Sequence, residues 1–498
     1  MIHTITDKHL SIERVGEIVR SNAKIECSPE ARERIEKCRT YLDEKIENAD
    51  APIYGINTGF GSLHHKTIGR DSLELLQRNL VTSHACGTGK PIDSELVKIM
   101  LLLKIQGLSY GHSGVTIDTV ERLMWMFNND VLPVVYEQGS LGASGDLAPL
   151  AHLALPLIGL GEVWVSGEVK NAADVLNSFG LEPLSLRSKE GLAMLNGTQF
   201  MSALGICAAL KTKKLLQMAD LIGVVSLEAF DGRPEPFKAK VHEVRKHPGQ
   251  IAVAAHVWSL IKDSKSMFAE KKHVQDPYSF RCIPQVHGAS RDAFDHFERV
   301  FENEINAVTD NPTVFPDSDE VISAGNFHGQ PLAINLDYLA IAVAELGSIS
   351  ERRTYKLVNG ERNLPDFLVA NPGLNSGFMI PQYTAASMVS RNKQRCTPSS
   401  VDTIDSSNGQ EDHVSMGANG AVKLLDVLDQ VETILGIELL NGCQALDFRD
   451  VSQTGSVVQR VHRHFREVVE FASEDRELYP LIASAKKFVA NYDYKENG

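Results

Sequence analysis

The chain has 498 residues, room for about three average domains or for one large fold with a satellite. Its 43% hydrophobic and 23% charged residues are ordinary for a globular protein that buries a large core. The 50 basic and 64 acidic side chains leave a net charge of −14, which argues against nucleic acid or an anionic membrane as the main partner.

The N-terminal stretch MIHTITDKHLSIERVGEIVR is charged throughout and has no continuous apolar core, so it does not read as a signal peptide. Ser28-Pro29-Glu30 is a helix start: the Ser side chain can cap free N–H groups and Pro fits the first helical position. Ile35, Cys38, Leu42 and Ile46 then mark one helical face. Glycine and proline punctuate the chain up to about residue 115, in YGINTGFGS, CGTGKP and SYGHSG. This predicts a smaller mixed N-terminal unit, residues 1–115, displaying loops, followed by a second domain over 116–498. GTGKP (87–91) is not a phosphate loop. It lacks the four-residue spacer and the Ser/Thr after Lys, and Pro91 removes a donor.

The next stretch, GSLGASGDLAPLAH (139–152), places Ala143-Ser144-Gly145 before Asp146. An amide nitrogen is a poor nucleophile because its lone pair is delocalised. For the Gly145 nitrogen to reach the Ala143 carbonyl the backbone must fold back tightly, which selects glycine at one end and a small residue at the other. Ring closure with loss of water gives a five-membered imidazolone. Loss of the Ser144 hydroxyl as a second water turns its Cβ into an exocyclic methylidene. The product is a carbon electrophile made without any bound cofactor. Spacing alone does not distinguish this from an ordinary turn.

Leu147 to Val165 is the most apolar stretch noted, but prolines, glycines, His152 and Glu162 interrupt it, so it is expected in the protein interior and not in a bilayer. Gly159 and Gly161 start a GxG, yet Trp164 stands where a dinucleotide fingerprint needs its third glycine. Beyond about residue 195 the pattern is helical. Leu332, Leu336, Leu339, Val343 and Leu346 alternate spacings of four and three, as do Leu424, Leu428, Val431 and Leu435. Two such seams predict a large helical bundle. The C-terminal YDYKENG reads as a frayed tail. The 17 histidines form no HExxH and no zinc spacing with cysteine, so no metal is expected. The seven cysteines are scattered, odd in number and without CxxC. They are expected to be mostly small buried apolar residues in a reduced, cytoplasmic setting.

GSLGASGDLAPLAH, taken together with YGINTGFG, LNGTQ, QDPYSFR, GNFHG and QEDHVSM, resembles the aromatic amino acid ammonia-lyase family, and the resemblance runs over nearly the whole chain. It implies a mainly α fold, a large multi-helix bundle with a fumarase/aspartase-like helical core. It further implies a homotetramer whose active sites are assembled from several subunits, and the self-made 4-methylidene-imidazol-5-one (MIO) on Ala143, Ser144 and Gly145. No GSSxMPxKxN signature of a fumarase-type lyase is present.

The resemblance also assigns roles. Asp146 supports formation of the ring. Tyr54 is the expected general base for the β-proton, which requires nearby positive charge or hydrogen bonds to lower its pKa from about 10. Asn196 and Tyr278 orient the substrate and hydrogen-bond around the ring. Arg281 grips the substrate carboxylate with its planar fork, Gln275 orients its neighbours, and Phe327 lines the pocket. Ser83-His84 and Glu411 match the histidine-specific members. A carboxylate near an imidazole can bond its N–H and favour the required charge state, whereas an unpaired buried Glu facing a phenyl ring is costly. Together His84 and Glu411 point to L-histidine as the small-molecule substrate, giving trans-urocanate and ammonia. Either the amine or the imidazole of the substrate adds to the methylidene, and both routes stay open. A tyrosine or phenylalanine ammonia-lyase or an aminomutase is the alternative on the same scaffold. His287 departs from the apolar residue expected there.

Overall fold

The computed structural model describes residues 2–48 and 52–493, apart from the side chain of Arg70. They divide into two compact units, built from Met1–Leu210, Glu298–Asp337 and Pro398–Val422, and from Lys211–Phe297, Tyr338–Thr397 and Lys423–Gly498.

In the first unit, strand Ile2–Ile5 pairs in parallel with Lys24–Cys27, and helix Ile12–Arg20 connects them. The Ser28 hydroxyl accepts from the Ala31 amide at 3.1 Å and Pro29 opens the helix Pro29–Glu47, as the sequence predicts. Ile35, Cys38 and Leu42 are buried along one face of that helix. The helix Ser94–Ser109 is the unit's central rod: it is buried along almost its whole length, with Ile117–Asn128, Pro29–Glu47 and Ile12–Arg20 packed on it. Two of its buried side chains are lysines, Lys98 and Lys104.

Residues 87–91 do not form a free loop. Thr88–Pro91 is a short strand paired with Tyr136–Gln138, a partner nearly fifty positions away that local sequence cannot reveal. The unit also extends past residue 115, the boundary expected from the glycine-rich loops, because helices Leu147–Ala154 and Glu190–Leu195 both pack on Leu73–His84. The stretch 147–165 forms helix, 3-10 turn and strand, with most of its apolar side chains buried.

The second unit is helical, holding residues 211–229 of helix Gln199–Ala229, 283–297 of Ile283–Ile305, 338–358 of Gln330–Val358 and 423–446 of Gly417–Leu446. Helices Pro248–Ile261, Met379–Arg395, Ser456–Arg466 and Tyr479–Asn491 also belong to it, with shorter helices Ala239–Glu243, Lys265–Phe268 and Tyr278–Arg281. Leu339, Val343 and Leu346, and Leu424, Leu428, Val431 and Leu435, are fully buried, so the predicted seams are core. Gln330–Val358 is a longer apolar run than 147–165, long and apolar enough by composition to cross a membrane. With 67% of its apolar window inside the structure it reads as an interior helix.

Two networks of charged side chains lie inside the second unit. Arg353 donates to both carboxylate oxygens of Glu438, which also accepts from Ser226 at 2.7 Å. Asp220 accepts from His287 Nδ1 and His256 Nδ1, both at 2.8 Å, and from Arg291 at 3.0 Å. That network accounts for His287: it is fully buried, with Asp220 as the partner an apolar residue could not use. Two expectations need correction. Only Cys38 and Cys443 are buried; Cys86 is exposed and the other four cysteines are half-buried, all seven being free thiols. The expected frayed tail begins too early: Tyr492 is buried and stacks on Phe488, while residues 494–498 lie outside the described residues.

Candidate active site

The loop that carries Ala143-Ser144-Gly145 is clamped at both ends. Upstream, Met416 N donates to Leu141 O at 3.0 Å, and a side chain on Gly142 (φ +73°) would collide with the Ser415 hydroxyl. Downstream, Gly145 adopts φ +75° and pairs in parallel with Gly197, whose carbonyl oxygen occupies the space a Cβ would need. Only glycine satisfies both the left-handed backbone and that approach. The next amide, Asp146 N, donates to Gly197 O at 2.8 Å. Asn196 Nδ2 donates to the Ser144 carbonyl at 3.2 Å. The Asp146 carboxylate is buried and accepts from Met201 N at 3.0 Å, at the start of helix Gln199–Ala229. Burial pushes Asp146 up to about 7 against these bonds. The residues present therefore fit a ring closed between Ala143 and Gly145: the bend is forced, no side chain obstructs it, and a donor faces the carbonyl between them.

Ser144 lines a pocket of about 740 Å³ whose walls also include Tyr54, His84, Asn196, Phe327 and Glu411. Five separated motifs thus converge on the triplet within the first unit. The Ser144 hydroxyl donates to Glu411 Oε1 at 3.3 Å, and Glu411 Oε2 accepts from Ser406 at 3.2 Å. His84 ends helix Leu73–His84, with its Nδ1 3.0 Å from the Ser83 hydroxyl. Burial holds His84 below its ordinary value, against the raising effects of a backbone bond at Leu80 and the charge of Glu411. Tyr54 accepts from the Gly61 amide at 3.3 Å across its own loop. That loop is latched to residues 406–411, which the sequence did not signal: Ser62 N donates to Ser407 Oγ, and Asn408 Nδ2 to Ser62 Oγ, each at 3.3 Å.

The electrostatics of Tyr54 differ from the expectation. Burial pushes its phenol above 10; the Gly61 bond opposes this and Glu411 adds to the rise. No Lys or Arg lines the pocket among the described residues. Helix starts add some positive potential. Ser144, Asn196 and Phe327 each lie three residues before a helix, at Leu147, Gln199 and Gln330, and helix N-termini carry partial positive charge.

Gln275, Tyr278 and Arg281 belong to the second unit and do not line this pocket. Tyr278 is 72% exposed, and the Arg281 guanidinium lies over its ring, 4.6 Å from the centroid. Arg281 Nε is buried without a hydrogen-bond partner. Gln275 is exposed, and its carbonyl accepts from Arg362 at 3.3 Å. No group of three or more His, Cys, Asp or Glu among the described residues could hold a metal ion.

Comparison with known proteins shows the family. A model of the aromatic amino acid lyase family matches residues 10–467. A histidine ammonia-lyase of Deinococcus radiodurans is 50% identical over 480 residues, covering 96% of this chain and 91% of that relative. The crystal structure of a histidine ammonia-lyase from Trypanosoma cruzi superposes with a TM-score of 0.91 at 40% identity, covering 98% of this chain and 93% of that one. The phenylalanine aminomutase of Pantoea agglomerans, at 29% identity, has a TM-score of 0.94 with 99% of both chains covered, so this scaffold also carries other chemistry. With the family model matched over residues 10–467 and a relative 50% identical over 96% of its length, the chain belongs to the aromatic amino acid lyase family.

Proposed function

We propose that the protein is a histidine ammonia-lyase that eliminates ammonia from L-histidine to give trans-urocanate. One observation carries the choice of substrate: Glu411 stands 3.3 Å from the Ser144 hydroxyl in a pocket that also holds His84. A carboxylate there bonds an imidazole N–H, and a phenyl ring would leave it unpaired. Relatives named as histidine ammonia-lyases at up to 50% identity support the same choice.

In this reading Ala143, Ser144 and Gly145 hold the family's MIO, which supplies an electron-poor exocyclic carbon. Asn196 donates to the Ser144 carbonyl and so draws charge towards the oxygen conjugated with that carbon. Tyr54 removes the β-proton. Burial and Glu411 raise its phenol, so a cation must face it to make a phenolate usable near neutral pH. Arg281 of the partner subunit meets that need while gripping the substrate carboxylate, and Tyr278 of the partner subunit completes the wall. This makes the working protein a homotetramer with shared sites, acting on a small molecule in the cytoplasm. Phe327 packs on the substrate ring, and Gln275 orients its neighbours.

The test combines mass and turnover. The intact chain should be lighter than encoded by two waters and should form an ultraviolet-absorbing product from histidine. Full encoded mass, or turnover of tyrosine or phenylalanine with none of histidine, overturns the proposal. A Ser144→Ala variant should fold and assemble yet lose nearly all turnover.

A further inference from the structure

The helix Ser94–Ser109 carries a buried lysine that the reaction does not use. Lys104 is 2% exposed and makes no salt bridge among the described residues; its Nζ donates instead to the carbonyls of Asn196 at 2.7 Å and Ala193 at 3.1 Å. These oxygens lie at the C-terminal end of helix Glu190–Leu195, where carbonyls lack intrahelical donors and the dipole is negative. Of the nearby carboxylate of Asp310, Oδ2 accepts from Lys189 at 2.8 Å and Oδ1 has no hydrogen-bond partner, so Lys104 is not bonded to it.

The carbonyls held by Lys104 belong to the segment that clamps the triplet. Asn196 donates to Ser144 O, and Gly197 O accepts from Asp146 N and abuts Gly145. A single rigid path therefore runs from the Lys104 ammonium through residues 193–197 to the backbone of residues 144–146. We propose that Lys104 is a positioning residue for self-cyclisation, fixing the Asn196–Gly197 segment against which the Gly145 amide is pressed. The inference rests on the proposed function and deepens it.

The reaction it serves is balanced within the chain. The Gly145 nitrogen bonds the Ala143 carbonyl carbon. The Ala143 oxygen leaves as water with one proton from Gly145 N and one from Ser144 N. The Ser144 hydroxyl then leaves with the Ser144 α-proton as a second water. No oxidant or cofactor enters. The barrier is one of approach, and approach reactions are steep in distance: a misplacement of about 1 Å can cost about a hundredfold. Burial lowers Lys104 to about 7, with Asp310 and Asp146 opposing and Lys189 reinforcing. An amine keeps at least two N–H bonds in either charge state, enough for both carbonyls.

The experiment follows dehydration of newly made chains by intact mass, comparing the parent with Lys104→Met and with Lys98→Met as control. Lys98 is a buried lysine of the same helix that bonds Asn22 and Asp130 instead. Loss of two waters should be slowed about tenfold or more in folded K104M and unchanged in folded K98M. K104M dehydrating at the parent rate overturns the inference, as does equal slowing in K98M at equal loss of thermal stability. If K104M does not fold, Lys104→Gln replaces it: its shorter side chain weakens the hold, and dehydration at the parent rate again overturns the role. A parent chain at full encoded mass instead removes the proposed function itself.

Discussion

Glu411 and Tyr54 share one pocket, and the carboxylate acts on the phenol. The carboxylate that suits an imidazole also raises the phenol that must lose its proton. A Glu411→Gln variant should lower kcat/KM for histidine by about 10- to 100-fold, the worth of one charge-assisted bond. It should narrow the preference for histidine over phenylalanine; an unchanged ratio in steady-state assays would refute the assignment. Tyr54→Phe removes the base and should lower kcat by about a hundredfold to ten-thousandfold while leaving the two-water mass deficit intact. Both residues were legible because they stand in long motifs. The adverse shift of Tyr54 was not, since it depends on burial and on a carboxylate more than three hundred positions away. Lys104 leaves a trace in VKIMLLLKIQGL, where a lysine interrupts an apolar run, but only the fold shows which carbonyls it meets.

The long helices were legible from periodicity: every seam residue named from spacing is fully buried, because a 3–4 repeat on one face has to be covered. Leu428→Ala should therefore lower the unfolding free energy by about 2–5 kcal/mol in denaturant titration. Short elements were not legible. Strand Thr88–Pro91 exists only through Tyr136–Gln138, and the latch between Ser62 and Ser407 joins loops with no shared pattern. The Asp220 network gives a pH signature at this scale. Burial works to raise Asp220, yet hydrogen bonds from His256 and His287 outweigh it and hold the carboxyl at about 2, below its ordinary 3.8. A depressed acid stabilises the fold above its unfolded value, and this contribution fades as pH falls from about 4 towards 2. Asp220→Asn should lower Tm at neutral pH, with the gap to the parent narrowing over that window in thermal melts.

At the scale of the whole molecule, the pocket has no Lys or Arg in its lining among the described residues, and Arg281 and the exposed Tyr278 of the same chain do not line it. The motifs name these residues but not the chain whose pocket they would complete in the proposed assembly, because sequence carries no record of which copy meets which. Sharing of sites has a direct test. Co-expressed Tyr54→Phe and Arg281→Met chains, each inactive alone, should form mixed assemblies with activity at on the order of a quarter of sites under random mixing. No recovery would place both groups in one chain's site. The strap between residues 144–146 and 196–201 bears on the molecule's life history as well. Its two halves are about fifty positions apart, so a ribosome-bound or torn polypeptide lacks the geometry that the proposed ring closure requires. With the proposed ring, reactivity is thereby withheld until folding succeeds, and each chain makes its own warhead, neither borrowed nor replaced.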